Sequence, residues 1–411
     1  MKRRLIFFTA ILLLFFNSYT QNYWQQIPYP DSAEIWAVNV ESSDNIFVGA
    51  KYPSGGIYKS DYNFFNWEYK GPEIATIYDI GINSYGIIYI SSKGVVYKSI
   101  DDGDTWISVF SCASYNNLVS LEIDSNDDIW VGSWGKIFHS TDLGISWDTC
   151  LVTSTSEVFN DFAFGTNGEI YSVSQHFSAN EGGFYISYDN GISWENPGLH
   201  GIGAKSIEVN SYNNIFVGSY YNGVFKSTDN GISWYNLFDN IDAVALLIDS
   251  EDNIYLGANR EIASPKGVWM SDDDGLTWDT INQIGLTNKY VNGLYLDTHG
   301  HLYTLCKETY GHQLFRTFNP VTTIKSNNIY KDKNYKIFPN PCCGYLSITS
   351  DHVQNKDVYY TLYNIYGQKI SESRRITSYC QTINTSHLIA GTYLIVIHSD
   401  TSKQSIPFQK Y

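Results

Sequence analysis

The sequence predicts an all-β chain, a seven-bladed β-propeller followed by a small immunoglobulin-like β-sandwich, on three observations. An eight-residue box ending in tryptophan recurs about once per 40 to 45 residues. Short runs rich in Val, Ile, Tyr and Phe, bounded by Gly, Asn, Asp or Ser, recur in step with it. After Lys325 both patterns stop and a different strand grammar begins.

The box reads SIDDGDTW at 99–106, STDLGISW at 140–147, SYDNGISW at 187–194, STDNGISW at 227–234 and SDDDGLTW at 271–278, with a decayed copy, SDYNFFNW, at 60–67. That period is the length of one four-stranded propeller blade. Blades are predicted to start near Glu34, Ala75, Leu118, Val158, Ala204, Ala243 and Tyr290. No comparable window outside the N-terminus shows a 3.6-residue apolar period. The seventh box has decayed to Arg316-Thr317-Phe318-Asn319-Pro320 and lacks its tryptophan. Trp24, within 23–27, stands where an outer strand follows a box, so this segment is expected to complete the last blade. Closing the ring removes open sheet edges.

Each box is a hairpin between the third and fourth strands of its blade. Glycine supplies the positive φ, the aspartate (Asp101, Asp142, Asp189, Asp229, Asp273) accepts N–H groups of its own turn, and the tryptophan packs between blades. The competing readings are a catalytic aspartate or a calcium loop. Asp272, Asp273, Asp274 and Gly275 have the look of the latter, but Gln283 stands where such a loop needs glutamate. Repetition decides for a structural staple, because a catalytic constellation is needed once and a staple in every blade. No metal or cofactor is expected. The boxes resemble the Asp-box, or BNR, repeat of sialidases and many other propellers over about residues 23–321. The resemblance implies fold and leaves activity open.

Residues 1–20 read as a secretory signal: Lys2, Arg3 and Arg4, an apolar run at 5–16, and small residues before Gln21. The run is short for a membrane span and no second one follows, so the mature chain is expected to have no transmembrane segment. The propeller is assigned to 21–325, a polar linker to 326–334 and the last module to 335–411. Net charge is −16. The signal and the tail are basic, so the body between them is more acidic than the whole. Such a surface repels nucleic acid and anionic membranes, and no nucleic-acid partner is expected. Six cysteines occur. Cys112 and Cys150 follow neighbouring outer strands and could pair; Cys380 could pair with Cys342 or Cys343.

The last module carries YKIFPNP at 335–341, with Pro339, Asn340 and Pro341, then LYNIYGQKI at 362–370, with Gly367, and AGTYLIV at 390–396, with Gly391. Leu346 and Ile348 alternate with polar residues, as do Tyr360 and Leu362, and Pro and Gly punctuate the strands as in a sandwich. The three stretches together resemble the type A C-terminal sorting domain of type IX secretion cargo. The resemblance implies the type IX machinery as a partner and a secreted or outer-membrane surface location in a Gram-negative bacterium. Cys342-Cys343-Gly344 departs from the small or polar residues usual after that PNP. The alternative reading is a carbohydrate-binding or adhesive module.

Sialidases with this repeat hold the substrate carboxylate with three arginines. Residues 21–324 contain two, Arg260 and Arg316, which counts against that activity. HExxH, GxSxG and P-loop motifs are absent from the sequence, and His299-Gly300-His301 reads as a turn. Asp79 and Asp161 occupy one register of the innermost strand, where the other blades place Ala37, Ser120, Ser206, Ala245 and Gly293. They are either an acid and base for glycosidic cleavage or acceptors for channel water and neighbouring backbone N–H groups. The face opposite the boxes carries Tyr52, Trp134, Tyr220, Tyr221, Arg260 and Glu261, together with Phe177, Glu181, Glu308 and Tyr310. Aromatics with a polar tip suit sugar or protein contacts. The longest loops, 174–183 and 258–267, are expected to set specificity. The expected activity is noncatalytic binding of an extracellular glycan or protein; the alternatives are a glycoside hydrolase using the axial carboxylates and a structural surface-layer component.

Overall fold

The structure is a computed structural model. It describes residues 23–29, 34–40, 45–51, 55–61, 64, 66–74, 76–112, 117–176, 182–259, 266–307 and 312–321, then 335–338, 342, 344–350, 358–364, 369–371, 373–376, 380–399 and 403–411. The signal segment, the linker, Pro339, Asn340, Pro341 and Gly367 lie outside these. The chain divides into two compact units, 1–321 and 322–411.

Among the described residues the first unit holds seven four-stranded antiparallel sheets. Six are built from consecutive strands. The innermost strands of blades 1 to 7 are Glu34–Val40, Ile77–Ile82, Leu118–Ile123, Glu157–Phe164, Ala204–Val209, Ala243–Ile248 and Val291–Leu296. The seventh sheet takes its outer strand, Trp24–Gln26, from the start of the chain, pairing Trp24 with Thr317 and Gln26 with Phe315. Trp24 is fully buried, and its Nε1 donates to Asn282 O at 2.9 Å in blade 6. It thereby supplies the tryptophan missing from the decayed seventh box.

The core is distributed over the seams. Each of the six resolved propeller clusters draws on two neighbouring blades. In each, the box tryptophan of the later blade packs against it: Trp67, Trp106, Trp147, Trp194, Trp234 and Trp278. The second strand contributes a fully buried aromatic at one register: Phe47, Tyr89, Trp130, Tyr171, Phe216, Tyr255 and Tyr303. Two residues later some blades have glycine, because the next blade's first strand comes too close for a side chain. A Cβ on Gly132 would lie 2.5 Å from Phe159 O, and one on Gly218 the same distance from Ala243 O. Gly132→Ala is therefore expected to cost about 1–3 kcal/mol. Gly203→Ala, whose Cβ would meet nothing nearer than 3.7 Å, should cost far less; urea midpoints of the two variants check this.

No disulfide joins Cys112 to Cys150, which corrects the pairing expected for them. Cys112 packs into the seam between blades 2 and 3, and Cys150 into that between blades 3 and 4, so a layer of core separates them.

Among its described residues the second unit has two antiparallel sheets. One orders Tyr335–Phe338, Tyr345–Ser350 and Cys380–Asn384; the other orders Arg374–Arg375, Val358–Asn364, Gly391–Ser399 and Lys403–Lys410. Leu346 and Ile348 from the first sheet share one buried cluster with Tyr360, Leu362, Ile395 and Phe408 from the second. The alternation legible in these strands is thus the alternation of faces.

Candidate functional site

The boxes are closed networks. In the second blade's box Ser99 donates to Asp101 Oδ1 at 2.8 Å, Thr105 N donates to the same oxygen at 2.8 Å, and Thr105 Oγ1 donates to Oδ2 at 2.6 Å. The Gly103 N–H returns to Ser99 Oγ at 2.9 Å. The same bonds recur around Asp142, Asp189, Asp229 and Asp273. Hydrogen bonds from Ser146 hold the Asp142 carboxyl down to about 2. Each carboxylate thus has both oxygens engaged by its own turn.

The boxes also clamp the preceding blade. Opposite the buried second-strand aromatic, the third strand carries Lys59, Lys98, His139, Lys226 and Arg316 in five blades. Lys59 lies 5.4 Å over Phe47 and pairs with Asp102 of the next box. Lys226 lies 5.4 Å over Phe216 and pairs with Asp274. Lys98 lies over Tyr89 and donates to Leu143 O at 2.9 Å. At the closing seam the Arg316 guanidinium lies 4.7 Å over Phe64, in the decayed first box. These cations were not singled out from the sequence. The signal available was their fixed place immediately before the hydroxyl residue that opens each box, Ser60, Ser99, Ser140, Ser227 and Thr317.

Around the axis, every innermost strand bulges at one place. The register slips between Ile35 and Ala37, Ile77 and Asp79, Leu118 and Ser120, Phe159 and Asp161, Ala204 and Ser206, Ala243 and Ala245, and Val291 and Gly293. A bulge frees backbone N–H groups from the ladder, and the axial side chains take them up. Asp79 accepts Ile80 N at 2.9 Å and, across the seam, Leu121 N at 2.9 Å. Asp161 accepts Phe162 N at 2.9 Å and Ile207 N of blade 5 at 3.0 Å. Ser206 Oγ accepts Leu246 N at 3.1 Å, Ser120 Oγ donates to Phe159 O at 3.1 Å, and the Tyr295 hydroxyl takes the Val38 N–H.

The axial cavity has a volume of about 630 Å³ and is lined by Asp79, Glu122, Asp161, Lys205, Glu208 and Tyr295, among others. Lys205 Nζ donates to Asn160 Oδ1 at 3.1 Å. Burial pushes Asp79 up to about 7, with Asp161 adding to the effect, and Asp161 up to about 6. Glu122 is pushed well above the carboxylate range by burial and then by Asp79; Glu208 likewise, by burial and then by Asp161. Burial lowers Lys205. Glu122 and Glu208 were missed in the sequence, although the next same-face position after Asp79 and its equivalents reads Asn39, Gly81, Glu122, Ala163, Glu208, Leu247 and Tyr295.

Of the residues expected on the face opposite the boxes, Tyr52, Phe177, Glu181, Arg260, Glu261, Glu308 and Tyr310 lie outside the described residues, as do 177–181 and 260–265 of the two long loops. Trp134 is half-buried, and its backbone bridges to Val158 across a seam. Tyr220 is half-buried and Tyr221 is 66 % exposed. Tyr221 sits at φ 65°, held by its N–H to Asp242 Oδ1 at 2.8 Å. The structure adds Trp36, the bulge residue of blade 1. It is 37 % exposed, with Lys51 Nζ 4.7 Å above its ring and the His312 ring on its edge at 5.5 Å. His299-Gly300-His301 is a turn, the N–H groups of both histidines bound to Asp297 Oδ1 and that of Gly300 to Asp297 O.

Residues 336–408 match a family model described as a secretion system C-terminal sorting domain. The chain therefore ends in a type IX sorting domain, which marks it for secretion or attachment at the cell surface. Over 265 residues the chain is 22 % identical to the oligoxyloglucan-reducing end-specific xyloglucanase of Emericella nidulans, covering 54 % of this chain and 31 % of that one. It is similar in fold to PorZ, a surface component of the type-IX secretion system of Porphyromonas gingivalis, at TM-score 0.53 and 12 % identity over 93 % of this chain and 60 % of that one. It is also similar to the GH74 xyloglucanase of Xanthomonas campestris, at TM-score 0.57 and 13 % identity over 80 % and 59 %. The first unit is a β-propeller of the same general fold as these proteins. The chain spans less than a third of the length of the curated relative it matches.

Proposed function

We propose that this protein is a type IX-exported surface propeller that binds an extracellular glycan on the face opposite its boxes and does not cleave it. The observation that carries the noncatalytic part is the use of Asp79 and Asp161. Both oxygens of each already accept backbone N–H groups, one of them from the neighbouring blade, which suits a structural joint. Trp36 and Tyr221 support the binding part, since exposed rings on a rigid scaffold stack on sugar faces. The likeness to two xyloglucanases favours glycan over protein as the ligand class, and the sorting domain supports an extracellular ligand.

The test is a glycan array and a polysaccharide-hydrolysis screen on the full chain. Saturable binding without release of reducing ends is expected. Trp36→Ala, Trp134→Ala and Tyr221→Ala should each weaken binding by about tenfold, equivalent to about 1.4 kcal/mol. Reducing ends released by the wild type but not by Asp79→Asn or Asp161→Asn would establish a glycoside hydrolase instead. Binding to no glycan but to a surface protein would redirect the ligand class.

A further inference from the structure

We propose that the seams between blades 2 and 3 and between blades 4 and 5 are proton-linked latches, each made of an aspartate that crosses the seam and a glutamate on the strand it reaches. Asp79 takes the N–H of Leu121, and Glu122 is the next residue on that strand. Asp161 takes the N–H of Ile207, and Glu208 is the next residue there. The same joint is thus built twice, and both copies open on the one axial cavity.

Four carboxyls share that cavity with a single described cation, Lys205, which Asn160 holds by a hydrogen bond. The other titratable side chains lining it are the phenols of Tyr78 and Tyr295, both held neutral by burial. The described lining from blades 1 and 6 is Val38, Asn39, Val40, Val244, Ala245, Leu246 and Leu247, none of them titratable. One ammonium cannot offset four carboxylates that share one cavity. No hydrogen bond from the described residues reaches the side chain of Glu122 or Glu208, so nothing local favours their ionised form. The aspartates are different, because each accepts two N–H bonds that a negative charge strengthens. As pH rises the arrangement therefore gives up the aspartate protons first and keeps the glutamate protons longer.

The direction of the linkage follows. A folded chain that binds these protons more tightly than the unfolded chain has its full benefit at low pH. It loses that benefit as pH rises from the ordinary carboxylate range through the raised folded values. With the glutamates ionised, two anions face each other at each seam and the ring loosens there. Asp101, Asp142, Asp189 and Asp229 act oppositely and at lower pH, since each is held below the ordinary carboxylate range. Burial holds His139 and His312 below the ordinary imidazole range, so they too oppose the axial groups, up to about pH 6.5, and equally in the wild type and in a variant of the axis.

The experiment is urea unfolding of the full chain at pH values from about 5.5 to about 8.5, for the wild type and for the double variant Glu122→Gln, Glu208→Gln. The wild-type midpoint should fall as pH rises, and the variant's should fall by less than half as much. Carboxyl titration by NMR on selectively labelled wild-type protein gives a second readout that does not depend on the variant folding. Glu122 and Glu208 should remain protonated at neutral pH. Equal slopes in the two proteins, or glutamates that ionise near the ordinary value of about 4.3, would overturn the proposal.

Discussion

Trp130→Ala is expected to destabilise the propeller by about 3–5 kcal/mol, the cost of truncating a large buried ring. Trp130 is fully buried in the second strand of blade 3. Its ring stacks on His139 with centroids 3.6 Å apart and meets Trp194 edge-on at 6.2 Å, while its Nε1 donates to Asp124 Oδ2 at 3.3 Å. It also lies against Gly191, where a Cβ would come within 2.8 Å. The substitution therefore removes support from the box of blade 4 as well as from its own sheet, and leaves a void at a seam that cannot collapse without moving both blades. Far-UV circular dichroism during urea unfolding measures the loss. Trp36→Ala, at an exposed site, serves as the control and should shift the midpoint little. A loss below about 1 kcal/mol at Trp130 would mean the seams are not where the stability resides.

Deleting residues 335–411 should abolish delivery to the cell surface and leave the propeller in the periplasm. The matched family spans 336–408, and the tail closes its own core from residues of its own two sheets. The propeller forms a separate compact unit, so the truncated protein should fold and melt like the full chain. That separation makes the result interpretable: retention of a folded propeller reports lost sorting, not misfolding. Fractionation with surface protease accessibility checks it, and undiminished surface delivery would remove the tail from the export route.

The repeat, the box and the closing strand were legible in the sequence because each is local. A Ser, an Asp two residues on, a Gly two beyond that and a Trp after three more describe one hairpin's own bonds. Trp24 could be placed because the decayed seventh box lacked its tryptophan. The partners of the boxes were not legible, since Lys59 meets Asp102 and Lys226 meets Asp274 only once neighbouring sheets are set side by side. The axial joint was half legible. Asp79 and Asp161 stood out as charges in an apolar strand, but their task depends on a bulge that no residue type announces. Trp36, Tyr78, Val119, Asn160, Lys205, Val244 and Asn292 occupy the bulge position in the seven blades and share no chemistry. Glu122 and Glu208 stand at the next same-face position after Ser120 and Ser206, but only the closed ring brings them into one cavity with Asp79 and Asp161.

The strand donated by the start of the chain has a consequence for timing. The bond from Trp24 to Asn282 spans 258 residues, and Tyr29 reaches His312 across 283. Contacts so distant along the chain form late, and these two need the earliest-made segment to meet the latest blades. Until the last blade emerges, its place beside Trp24 stays vacant and the assembly remains an unsealed arc. A secreted polypeptide gains from this, because its commitment to a sealed ring is deferred until the last blade has joined the first strand in one compartment.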